Sequence, residues 1–139
     1  MTITVEIITN QVGQNVYRVK RNGEWIGDYI NGVNTQTSGI QEALNYAVQT
    51  GDPVELGPGT FNVNAAIQLP NMSGLVLRGA GKALTSINQA GGYGGTIMQW
   101  ADPSAANQNY YIGHFAVNAP NGNNTIWVIY LTQNETAAN

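Results

Sequence analysis

The sequence predicts an all-β chain wound as a short solenoid, with one capping α-helix and a β-hairpin ahead of it. Only residues 38–50 carry apolar side chains at helical spacing. From Val54 onward, short runs of alternating apolar residues recur, each closed by Gly, Pro or Asn. Charged residues make up 9% of the chain, against roughly a quarter in ordinary soluble domains. The surface is therefore polar through Asn, Gln, Thr and Ser, which suits stacked strands whose side-chain amides bond to their copies in the next layer.

A length of 139 residues allows one domain with a modest core. It divides into an N-terminal strand and hairpin segment, residues 1–36, and a helix followed by strands, residues 37–139. In the first segment Val16 to Lys20 and Trp25 to Tyr29 flank Asn22 and Gly23, and Asn-Gly between two strands is a strong signal for a two-residue turn. That turn predicts Lys20 opposite Trp25, Arg18 opposite Gly27 and Val16 opposite Tyr29 on one face. Tyr17, Val19, Ile26 and Asp28 take the other. On the first face Arg18 lies across the gap left by Gly27, in cation–π reach of Trp25 and Tyr29. Trp25, Tyr29, Arg18 and Lys20 are thus a candidate patch for stacking a sugar ring, although the same contacts also serve simply to hold a hairpin together.

In the second segment Ser38 reads as a helix cap, with Gln41 three residues on completing a capping box. Ile40, Ala43, Leu44, Ala47 and Val48 share one face, and Gly51 ends the helix. Strands follow at Val54 to Leu56, Phe61 to Val63, Ile67 to Leu69 and Leu75 to Leu77, separated by turns at Gly57 to Gly59, Pro70 to Asn71 and Gly79 to Gly81. Later strands are Thr96 to Trp100, Tyr110 to Val117 with His114 in a bend, and Ile126 to Leu131. The last is apolar on both faces, so Trp127, Ile129 and Leu131 need a cover. Together with Tyr111 they are candidate oligomer contacts.

The stretch from Ser38 to Ile87 resembles the pectate-lyase-like right-handed parallel β-helices, whose members include polysaccharide lyases, glycoside hydrolases and viral tailspikes. The residues that carry the resemblance come in the family's order: Ile40, Gln41 and Ala43 in the helix, Gly57 to Phe61 in the first turn, Ile67 to Asn71, Leu77 to Gly81, and Thr85 to Ile87. Asp52 and Pro53 replace the usual glycine pair, and Gly57 stands where proline is common. The resemblance implies a short right-handed parallel β-helix with an N-terminal capping helix, most naturally a homotrimer. It also implies enzymes with more coils than this chain supplies, their sites on the middle sheets.

The chemistry is sparse. Asp28, Asp52, Glu55 and Asp102 show no paired spacing for glycoside cleavage. Glu55 alternates with Val54 and Leu56 and so points outward, Asp52 belongs to a turn, and Arg78 sits at a strand end in a bend. His114 lacks partners at metal-ligand spacing. No catalytic residue, metal or cofactor is expected. The glycine clusters at 79–81 and 91–95 lack the lysine and helix of a phosphate loop. The sequons at Asn71, Asn123 and Asn134 are permissive only. A net charge of −3 gives no footprint for nucleic acid, and the first residues carry neither a signal peptide nor a membrane span. The expected function is a structural and adhesive module of tailspike or surface-fibre type, on a virion or outside the cell, facing polysaccharide without cleaving it. The alternatives are a polysaccharide lyase or glycoside hydrolase, as a fragment or with a site between subunits, and an assembly protein with no ligand.

Overall fold

The structure, a computed structural model, describes residues 1–100, 109–121 and, as backbone, 129–130. It opens with three strands in antiparallel succession: β1 (Ile3–Thr9), β2 (Asn15–Arg21) and β3 (Glu24–Tyr29). The β1 to β2 turn is built on Asn10, whose side-chain Oδ1 accepts from the backbone N–H of Val12 and Gln14. Asn22 and Gly23 make the next turn, both at positive φ.

The one helix among the described residues, α1 (Ile40–Thr50), buries Ile40, Ala43, Leu44 and Ala47. Val48, expected on that face, is half exposed. Ser38 is not its cap. Gly39 takes the cap position at φ 76°, against Tyr17 Cβ and the ring of Tyr29, where any side chain would be both strained and crowded. Two threonine side chains serve the helix start instead: Thr37 Oγ1 accepts from Gln41 N at 3.0 Å, and Thr35 Oγ1 accepts from the N–H of the cap residue, Gly39, at 3.1 Å. Ser38 turns its hydroxyl onto the Asn62 carbonyl. At the far end Gly51, at φ 77°, donates to the Ala47 carbonyl as a left-handed terminator.

Nine strands follow among the described residues: β4 (Val54–Leu56), β5 (Gly59–Val63), β6 (Ile67–Leu69), β7 (Leu75–Arg78), β8 (Thr85–Gln89), β9 (Met98–Trp100), β10 (Tyr110–Gly113), β11 (Ala116–Asn118) and β12 (Ile129–Tyr130). Every third strand pairs in parallel, giving three files: β4 with β7 and β10, β5 with β8 and β11, β6 with β9 and β12. The first file does not stand alone. β4 also pairs in parallel with β1, and the sheet runs on through β2 and β3 in the order β10-β7-β4-β1-β2-β3.

This corrects the expected fold class. The chain is mixed α/β with a six-stranded sheet of mixed direction beside two small parallel sheets, not an all-β right-handed parallel solenoid. Two tight turns, at Asn10 and at Asn22, hold β1, β2 and β3 antiparallel to their chain neighbours, and a parallel step needs a long crossover that these short loops lack. The inward residues of the sheets close on one core that includes Ile3, Val5, Leu44, Leu56, Phe61 and Leu77. Tyr17 joins it, its ring 5.8 Å from that of Phe61.

Candidate functional site

Along β4, the first half of β1 and the middle of β2 burial alternates, so that Ile3, Val5, Tyr17, Val19, Val54 and Leu56 face the core, with Val16 buried as well. The residues between them form the outer face of the six-stranded sheet. Pairing brings Arg78, Glu55, Thr4, Lys20 and Trp25 into one row across five strands, and Glu6, Arg18 and Asp28 into the row beside it.

The hairpin register is where the face is decided. Lys20 does lie opposite Trp25, but a bulge then shifts the pairing, so that Val19 meets Gly27, Arg18 meets Asp28 and Tyr17 meets Tyr29. One extra residue in β3 sends every later side chain to the other face. Tyr29, expected outward beside Arg18, instead packs against the core and folds its ring over Gly27. Burial, with a smaller contribution from the Glu42 carboxylate, pushes its phenol above the ordinary range. Asp28, expected inward, comes out opposite Arg18.

Arg18 therefore makes no cation–π bridge between Trp25 and Tyr29. It forms a two-pronged ion pair with Asp28, Nε to Oδ1 at 2.8 Å and Nη2 to Oδ2 at 3.0 Å. The indole Nε1 of Trp25 donates to the same Oδ1 at 3.1 Å. Chiefly through the Arg18 bond, and despite partial desolvation, the Asp28 carboxyl is held below the usual carboxylate range. Trp25 is thus oriented by its one polar atom while 62% exposed. Nearby, Lys20 Nζ meets Glu6 Oε1 at 2.7 Å, and Arg78 Nε donates to Glu55 Oε2 at 2.7 Å. Three cations and three carboxylates pair one to one, so this face carries no net charge.

Between the Glu6 and Glu55 pairs lies a cleft of about 370 Å³ floored by Thr4 and Gly57. It puts two carboxylates on one surface, a grouping that sequence spacing missed because it depends on β1 lying next to β4. The outward alternation of each residue was readable; the neighbourhood was not. Both carboxylates are already ion-pair acceptors, and among the described residues no group of three His, Cys, Asp or Glu is placed to hold a metal ion. Asp52 is drawn to Arg21 at 2.6 Å, whose bond holds its carboxyl below the ordinary range.

The candidate oligomer contacts fall elsewhere. Tyr111, half exposed, sits on β10 at the opposite edge of the sheet from Trp25. It stacks on His114 with ring centroids 5.9 Å apart, and its hydroxyl lies 2.7 Å from His114 Nε2. His114 occupies the bend after β10 at φ 62°. The backbone of Ile129 pairs with that of Met98. Trp127 and Leu131 lie outside the described residues. Comparison of the chain with protein-family models, with curated proteins and with solved structures finds no match.

Proposed function

We propose that this protein is a non-catalytic, self-associating adhesive module that binds neutral glycans on the outer face of its six-stranded sheet. The observation that carries this reading is Trp25: a large exposed ring, fixed in direction by Asp28, beside paired charges that cancel. The C–H face of a pyranose packs on such a ring, whose π-face is electron-rich. The adjoining carboxylate and guanidinium groups take hydroxyl donors and acceptors together. A polyanion gains nothing from a face whose cations are already neutralised. A surface-fibre setting, on a virion or outside the cell, belongs to the same proposal, as does a homotrimeric assembly.

The test is glycan binding followed by intrinsic tryptophan fluorescence and by calorimetry. Trp25→Ala is expected to weaken binding of a neutral oligosaccharide at least about tenfold, equivalent to ~1.4 kcal/mol, while thermal stability stays nearly unchanged, as for an exposed site. Equal binding by the variant refutes the reading. The second reading, polysaccharide cleavage, rests on Glu6 and Glu55 sharing one cleft. Release of reducing or unsaturated ends by the whole chain, abolished by Glu55→Gln, puts it first.

A further inference from the structure

A second cleft, of about 490 Å³, opens beside the start of α1 and shares no lining residue with the one on the outer face. Its walls include Gln36, Glu42, Asn45 and Gln68, with Ala65 and Ala66 on the apolar side. The volume falls within the ~300–1,000 Å³ of small-molecule sites.

Much of the polar lining is consumed internally. Thr35 Oγ1 donates to Glu42 Oε1 at 2.8 Å while accepting from the backbone N–H of Thr37 and Gly39. Gln41 accepts from Gln68 N at 2.6 Å and donates to Gln68 O at 3.1 Å, and also reaches Asn45 Oδ1. What remains, with no partner among the described residues, is the second oxygen of Glu42, Asn45 Nδ2, Gln68 Nε2 and the Gln36 amide. Four of the chain's five cations are engaged with other acids: Arg18 with Asp28, Lys20 with Glu6, Arg21 with Asp52 and Arg78 with Glu55. None of these pairs reaches Glu42.

The cleft thus offers one carboxylate without a counter-ion, amide donors on one side and a small apolar wall. An anion is disfavoured by Glu42 and by the Thr35 and Thr37 oxygens that already occupy the N–H groups of Gly39 and Gln41. A neutral sugar leaves the carboxylate uncompensated. We infer that this cleft binds an amino sugar with a free, protonated amine. The ammonium meets Glu42, ring hydroxyl oxygens accept from Asn45 and Gln68, and the C–H face lies on Ala65 and Ala66.

The experiment titrates the whole chain with D-glucosamine, N-acetyl-D-glucosamine and L-lysine by calorimetry, at a pH that keeps the amines protonated. Glucosamine is expected to bind at least about tenfold tighter than its N-acetyl form, a difference of ~1.4 kcal/mol. Glu42→Gln keeps an acceptor for the Thr35 hydroxyl and is expected to erase that preference. Asn45→Lys, at an exposed helix position, sets a cation against Glu42 and is expected to block the cleft without unfolding the chain. The same titrations in the Trp25→Ala chain are expected to keep the preference for glucosamine over its N-acetyl form, which separates the inference from the glycan face. Equal affinity for glucosamine and its N-acetyl form, lysine binding as tightly as glucosamine, or indifference to Asn45→Lys overturns it.

Discussion

Asp28 couples the exposed ring of Trp25 to the charge of Arg18, and its chemistry gives a pH signature. Its carboxyl is lowered in the folded chain by the Arg18 bond, and that of Asp52 by Arg21. For a group depressed on folding, the stabilisation is fully present above the unfolded carboxylate value of ~3.9. It is lost as pH falls through the folded value. Stability to urea should therefore hold between neutrality and about pH 5 and decline below about pH 4. Arg18→Met should lower stability at neutral pH and also shrink the loss on acidification, because Asp28 then titrates near its unfolded value in both states. An acid loss of unchanged size in Arg18→Met would show that the pair contributes nothing. Lys20 opposite Trp25 was legible from the Asn-Gly turn. The bulge after Trp25 was not, since its extra residue, the apolar Ile26, looks like any strand residue. That single omission exchanged Tyr29 for Asp28 on the outer face.

The helix shows the same division between pattern and partner. Its buried stripe through Ile40, Leu44 and Ala47 follows from the 3.6-residue period, and Gly51 announces its end. Ser38 and Gln41 make a capping-box pattern at its beginning, but Ser38 lies at φ 56° with its hydroxyl on a carbonyl of β5. Gln41 serves another element: its amide bonds both the N–H and the C=O of Gln68, closing the free edge of β6 as a neighbouring strand would. Gln68 in turn accepts from Gln99 on β9, so one amide ladder runs from the helix into the third file. No local pattern reports that contact, because residues 41 and 68 meet only in the fold. Two substitutions separate packing from position. Leu44→Ala, at a fully buried site, should cost on the order of 2–5 kcal/mol, whereas Val48→Ala, half exposed, should stay within ~0.5 kcal/mol. Equal losses in chemical denaturation would mean that α1 does not cover the core through its Leu44 face.

At the scale of the whole molecule the two ends of the sheet system differ. The short strands after α1 were legible one by one, but the partnership of β1 with β4, which makes the large sheet mixed, joins positions about fifty residues apart and left no local mark. On that side the last strand, β3, is protected: it carries a bulge and the charges of Glu24 and Asp28, devices that keep an edge from pairing with other chains. At the opposite end β10, β11 and β12 each have one strand neighbour among the described residues. Their sequences, Tyr110–Gly113, Ala116–Asn118 and Ile129–Tyr130, contain no charged residue. Three uncharged strand ends at one pole, with Tyr111 half exposed beside them, favour association of that pole with copies of the chain over association through β3. The homotrimer proposed above uses this end. Light scattering at micromolar concentration should give three times the chain mass, and Tyr111→Glu should shift the mass toward monomer on dilution while Glu24→Ala on β3 does not. A mass that remains that of one chain at every concentration would remove the trimer, and with it the use of this pole, while leaving the Trp25 face to be judged by its own binding test.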